Sequence, residues 1–389
     1  MQGVRPVNPS VTDDASVTFP AADVEDLRRR LADRRFPEFP FEERWRFGTG
    51  RDVVVELVSR WRERLDGDRL AGELGGSPRL RADFPDMSIR VFHLRAEVDE
   101  ALPIVLTHGW PSTVLELLPL ARRLARPSNY GADRTDAFHV VVPALPGFPL
   151  SGVPLDPDEY TGARIADRWV QLMEALGYSY FAASGGDVGA RVAAWLGARH
   201  ADRVVGIHVS ANALSPTLPN VQLAGEEAAW VARRAEWTRE EGGYMHIQQT
   251  KPLSLAYGLA QSPCALAAWI AEKWRGWSGS DEAFARLGEA LLDTLSLYWL
   301  TNRIATSFLP YYVYDRSPGA RPPGRDVKVP VSFYLCPHEI GGVPPRSFAE
   351  RQYVVARWRE FDSGGHFIAL EQPDQLADDV RAAFRAQRR

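Results

Sequence analysis

Sulfur, lysine and uninterrupted apolar sequence are all scarce in this chain, and each shortage excludes something. Among 389 residues there are two cysteines, Cys264 and Cys336. They form no metal-ligand or redox spacing, so neither a disulfide framework nor a metal centre is expected, and both should be reduced and packed. No apolar run reaches the length of a spanning helix, and Met1 to Pro20 lacks the apolar core of a signal peptide. The expectation is a cytoplasmic protein without a membrane partner. The formal net charge of −4 offers no surface for nucleic acid. Only Lys251, Lys273 and Lys328 among the 46 basic residues are lysines, which reads as codon bias of a GC-rich bacterium rather than as chemistry. The remainder, 45% hydrophobic and 25% charged, is ordinary globular composition with ample core.

Residues 1–95 differ in pattern from the rest of the chain. Helical spacing runs over 23–35 and 51–65, with Val54, Leu57, Val58 and Trp61 on one face of the second segment. Between them Phe36-Pro37-Glu38-Phe39-Pro40-Phe41 forbids helix continuation. The alternation over 87–94 predicts a half-exposed strand. This stretch reads as an extension wrapping a core. From 96 to 211, short apolar runs at 103–107, 138–143, 178–183 and 203–209 alternate with helices, the clearest over 164–176. Such a rhythm predicts an α/β fold with a mostly parallel sheet covered on both faces. Residues 212–320 are helical and hold six of the chain's twelve tryptophans, as a lid with an aromatic-lined pocket would. Strands resume at 329–335 and 358–361, and a last helix starts at Asp374, so 321–389 returns to the core.

Ser184-Gly185-Gly186-Asp187-Val188-Gly189-Ala190 stands between a strand and a helix. Small residues on both sides of Asp187 suit a sharp turn that projects one side chain. A carboxylate there points to attack on an alkyl carbon through a covalent ester. The plainer reading of the same residues is an Asp capping the next helix. A serine hydrolase using Ser184 is disfavoured, because Ala182 occupies the position of the glycine such a turn needs.

A nucleophile requires a base, an acid to orient it, and donors for developing charge. Three histidines after Asp187 stand in loop positions, His246, His338 and His366, and the last sits in Ser363-Gly364-Gly365-His366-Phe367, directly after a strand. Glu339, in Cys336-Pro337-His338-Glu339, follows the preceding strand and can hold the imidazole; Glu371 is the alternative acid. His108-Gly109-Trp110-Pro111 ends the first core strand. There the Trp110 N–H with the Val188 N–H would form an oxyanion hole, and His108 would brace the loop.

With these residues the chain resembles the microsomal-type epoxide hydrolases, the α/β-hydrolase group with an N-terminal wrapping extension. The resemblance covers nearly the whole length, and the segment Gly243-Tyr244-Met245-His246-Ile247-Gln248-Gln249-Thr250-Lys251-Pro252 matches the family's first lid-tyrosine motif. It implies Tyr244 and a second tyrosine, Tyr311 by ungapped register with Tyr312 and Tyr314 as neighbours, as donors to the epoxide oxygen. It also implies Asp187, His366 and Glu339 as the catalytic set, a pocket lined by Trp110, Val188, Phe148 and Tyr312, and no cofactor or metal. Many relatives carry Trp where this chain has Val188, so the pocket beside Asp187 is expected to differ. The implied substrate is a small-molecule epoxide, bulky and aromatic or polyunsaturated. Similar bacterial relatives occur in natural-product pathways, including those of enediynes, and a homodimer is possible. The rivals are a haloalkane dehalogenase, which would want the indole that Val188 cannot supply, and a non-catalytic small-molecule-binding protein on the same fold.

Overall fold

Strands buried at every position can only lie inside a sheet with both faces covered, and four such strands stand in the middle of this structure. A computed structural model describes residues 8–388 apart from 15, 16, 42, 217, 219, 220 and 224. Its nine strands are β1 (Ser10–Asp13), β2 (Arg79–Asp83), β3 (Ser88–Leu94), β4 (Leu102–Thr107), β5 (Phe138–Pro143), β6 (Phe181–Gly185), β7 (Val204–Val209), β8 (Val331–Leu335) and β9 (Val355–Glu360). They form one sheet in the order β1-β2-β3-β5-β4-β6-β7-β8-β9. From β5 to β9 all pairings are parallel, whereas β1, β2 and β3 add antiparallel strands at one edge. The fold is that of the α/β hydrolases.

Helices Gly162–Ala175 and Val188–Arg199 pack together on one face, and Val114–Ala125 and Pro373–Phe384 on the other. Side chains alternating along the strands feed two apolar cores. Val105, Val141 and Ala183 join Trp169 and Leu172, while Ile104, Val140 and Ala182 join Leu118 and Leu376. After β4 the chain steps outward to β5 and then returns to the other side of β4 as β6. In open parallel sheets, ligand crevices form at such a reversal, beyond the strands' carboxyl ends. The loops after β4 and β6 meet there.

Sequence reading placed several elements imperfectly. The strand expected over 178–183 is Phe181–Gly185, because Gly177, at φ +87°, turns the preceding helix off and leaves Tyr178 to Tyr180 as a connection. The strand at 358–361 starts earlier, at Val355. Residues 66–86, read as a connection, hold the helix Gly67–Gly75, capped by the Asp66 side chain, and the edge strand β2. The helix Val114–Ala125 was also missed, although Thr113 and Glu116 have the spacing of a capping box.

Between β7 and β8 the described residues are helical and form no strand. The N-terminal helix Arg51–Arg64 packs against two helices of that stretch, Pro263–Ser278 and Gly288–Thr301. The Trp61 indole N–H donates to Ser296 Oγ at 2.8 Å in the buried contact, and both Arg64 and Arg69 bind the Asp293 carboxylate. Among the described residues no single helix is long and apolar enough to cross a membrane, and no cluster of potential metal ligands occurs.

Candidate active site

The turn after β6 is as tight as its glycines suggest. Asp187 adopts φ +50°, in the region that side chains avoid, and the helix begins at the next residue. A Cβ on Gly189 would sit 1.9 Å from the Thr107 carbonyl oxygen, and one on Gly185 2.6 Å from the Gly189 carbonyl carbon. Only small residues let the turn press onto the end of β4, and that pressure projects Asp187. The capping alternative fails, since the Asp187 side chain makes no cap hydrogen bond. Instead its Oδ1 accepts the Trp110 N–H at 2.9 Å.

The Trp110 donor is held by its own loop. His108 donates from Nδ1 to the Gly109 carbonyl at 3.1 Å and accepts the Leu145 N–H at Nε2, also at 3.1 Å. Burial pushes the imidazole down to about 4, so it stays neutral and acts as the brace expected of it. Phe148, expected in the pocket wall, lies edge-on against His108 behind the loop. Val188 opens the helix beyond Asp187, where first-turn N–H groups have no partner within the helix.

His366 comes from the loop after β9 and lines one cavity with Asp187. Its Nδ1 donates to Glu339 Oε1 at 2.8 Å, and the same oxygen accepts the Ile340 N–H at 2.8 Å. Both side chains are nearly fully buried. Burial pulls the imidazole down, but Glu339, with Asp187 and Glu116 behind it, outweighs burial and raises it to about 9. Burial opposes ionisation of Glu339 too, yet the imidazolium keeps the carboxyl below its ordinary range. The alternative acid, Glu371, accepts the Gly365 N–H with both oxygens, which shapes the loop without touching the imidazole. His338 and His246 are exposed.

Over the nucleophile stand the phenols. Tyr244 stacks on the Trp110 ring with centroids 5.4 Å apart, Tyr311 meets the same ring edge-on at 5.6 Å, and the two phenols contact each other. Burial, and next the Asp187 charge, push both phenols far above their ordinary range, so they keep their protons. Tyr312 points elsewhere, beneath the Arg316 guanidinium at 4.3 Å, and Tyr314 lies under Arg191. Of the three neighbouring tyrosines, Tyr311 is thus the one that packs beside Tyr244 and Trp110, while Tyr312, expected in the pocket wall, faces Arg316. Of the tryptophans of 212–320, Trp277 lines the cluster, touching Trp110, Tyr244 and His366, whereas Trp230 packs on Phe348 and Trp274 on Phe367.

Three neighbours escaped the sequence reading. Tyr298, fully buried, donates to the Ser112 carbonyl at 3.2 Å and ties the β4 loop to the helix Gly288–Thr301. Lys273, one of the three lysines, places Nζ 4.5 Å from the Tyr244 ring centroid. Glu116 brings a further, partly buried carboxyl near Asp187, His366 and Glu339. Only the capping-box spacing of Glu116 was visible beforehand.

Comparison with known proteins finds epoxide hydrolases both by sequence and by fold. The family profile described as "Epoxide hydrolase N terminus" matches residues 12–117, and that of the "alpha/beta hydrolase fold" matches 103–244. A Stigmatella aurantiaca protein named "Putative epoxide hydrolase" is 37% identical over 373 residues, 95% of this chain and 84% of that one. The crystal structure of the juvenile hormone epoxide hydrolase of the silkworm Bombyx mori superposes with a TM-score of 0.84 at 25% identity, covering 98% of this chain and 96% of the other. An Aspergillus niger epoxide hydrolase, an enantioselective mutant, gives 0.83 at 26%, covering 98% and 97%.

Proposed function

The chain belongs to the microsomal-type epoxide hydrolases of the α/β-hydrolase superfamily, hydrolases that act on an ether bond, and we propose that it works through a covalent alkyl ester on Asp187. One observation carries this reading. Trp110 touches the Asp187 carboxylate with its N–H and both lid phenols with its ring, so nucleophile and acids face one small volume.

In the first half-reaction Asp187 attacks an epoxide carbon with the oxygen that Trp110 does not hold. The C–O bond of the strained ring breaks toward its oxygen, which Tyr244 and Tyr311 bind and one of them protonates. Acid assistance of this kind contributes about 10²–10⁴-fold. Esterification removes the Asp187 charge that helped hold His366 at about 9. Loss of that charge moves the imidazole toward its free-base form, although Glu339 still favours the cation. In the second half-reaction it takes a proton from water as the water oxygen adds to the ester carbonyl carbon. The oxyanion sits against the Trp110 and Val188 N–H groups, each worth roughly 3–4 kcal/mol in such sites. Collapse releases a vicinal diol and restores the carboxylate, and the imidazolium proton returns to the phenolate.

The substrate class in this reading is a bulky aromatic or polyunsaturated epoxide, supported by the apolar rings of Trp110, Trp277 and Phe308 around the phenols. A role in natural-product biosynthesis, as in enediyne pathways, belongs to the same reading and rests on resemblance alone. The test is a single turnover of excess enzyme with styrene oxide in ¹⁸O water. The label should enter Asp187 and spare the diol, and Asp187→Ala should abolish turnover. Label in the first-turnover diol would refute the ester.

A further inference from the structure

Beneath Asp187 lies a cavity of about 20 Å³ whose lining includes neither Tyr244 nor Tyr311. That is room for one water molecule. Its lining includes the polar side chains of Asp187, His366, Glu116 and Tyr334, with Thr107, His108 and Ser184 beside them. A buried water needs two to four hydrogen-bonding partners, and these groups supply them. The epoxide has to reach Asp187 from the side of the phenols. The cavity is lined by Asp187 and His366 and by neither phenol. A water there would survive the arrival of substrate. Glu116 comes from the first turn of Val114–Ala125 and keeps accessible surface although it lies deep in the protein.

We propose that Glu116 positions the hydrolytic water: with His366 it holds the water of the second half-reaction in this cavity, aimed at the Asp187 carboxyl carbon. The inference rests on the covalent-ester reading. The water gives one hydrogen to His366 Nε2 and the other, as a hydrogen bond, to Glu116. As its oxygen bonds to the carboxyl carbon, its first proton passes to His366 and the carbonyl pair moves to the oxyanion. Collapse then breaks the bond to the alkyl oxygen, which leaves with its pair and takes the water's remaining proton. Glu116 neither gains nor loses a proton. Burial, with the Asp187 and Glu339 charges added, raises its carboxyl to about 7 against the Ser112 hydroxyl and the imidazolium, which lower it. Either protonation state of such a carboxyl presents an acceptor oxygen to the water.

Glu116→Leu removes the acceptor and Glu116→Gln retains one. Rapid-quench mass spectrometry with styrene oxide follows formation and decay of the adduct in both. In Glu116→Leu the ester should form at the wild-type rate and decay roughly 10²-fold more slowly, the scale of a misplaced reactant. Its kcat and KM should fall together, while Glu116→Gln decays close to wild type. Decay at the wild-type rate in Glu116→Leu, or equal slowing of both steps, would overturn the water site. His366→Gln separates the two ideas. An adduct that accumulates there while Glu116→Leu behaves as wild type sinks only the role of Glu116, whereas no adduct in either variant sinks the covalent mechanism.

Discussion

Replacing Glu339 by Gln would remove one charge from the buried pair and little else. The amide oxygen can still accept the His366 Nδ1–H, and the Ile340 N–H that now binds the same oxygen at 2.8 Å would hold it in place. The imidazole is raised from 6.5 to about 9 although burial works against it, a net effect of about 3 kcal/mol. His108 shows what burial does without a carboxylate partner, since it sits at about 4. In Glu339→Gln, His366 should therefore titrate below 6.5, a fall of roughly three units, which ¹⁵N NMR of the imidazole would read directly. Stability should report the same change. A histidine whose folded value exceeds its unfolded one stabilises fully below pH 6.5 and loses that contribution as pH rises through about 9. The wild-type lead over Glu339→Gln in urea unfolding should accordingly shrink by about 3 kcal/mol across that window. A His366 that still titrates above pH 8 in the variant would refute the assignment of the shift to Glu339.

Three further perturbations test other parts of the site and scaffold. A Cβ on Gly109 would lie 2.4 Å from the Asp187 Cβ, so Gly109→Ala should leave a folded protein by circular dichroism and cut adduct formation by about 10²-fold, the scale of a misplaced nucleophile. Tyr311→Phe should slow adduct formation by about 10²-fold or more without affecting adduct decay, whereas Tyr312→Phe should change neither; the opposite result would reverse the two tyrosines. Trp61→Ala removes a fully buried indole and its bond to Ser296. It should cost about 3–5 kcal/mol in chemical unfolding.

The sequence revealed what depends on local pattern. The apolar runs of β4, β5 and β7 announced a parallel sheet, and the small residues around Asp187 announced a turn whose steric necessity is visible at Gly189 and Thr107. Chain order brought His366 and Glu339 into view. What stayed hidden depends on contacts between distant segments. Residues 79–83 carry only Leu80 and Ala82 among charged neighbours, so β2 is a strand because β3 lies beside it. Tyr311 and Tyr312 are adjacent and chemically alike. Only the packing of Trp110 on one and Arg316 on the other tells them apart. Glu116 has no partner near it in sequence to mark it out for the site, and only the cavity that it lines with Asp187 and His366 brings it there.

The tie between Trp61 and Ser296 spans 235 residues of chain, and this sets a timetable for synthesis. At about 5–20 residues per second, the ribosome delivers Ser296 roughly 10–50 seconds after Trp61. Until then the face formed by Val54, Leu57, Val58 and Trp61, which also packs against the helices Ala21–Ala32 and Pro263–Ser278, lacks its contact with Gly288–Thr301, though in the finished protein all four are buried. The nascent chain must carry an adhesive helix through most of its own translation, and a holding chaperone bound to residues 51–64 would shield it. Moving these residues to the C-terminus by circular permutation would abolish the wait and should raise the soluble yield when the protein is expressed without chaperones.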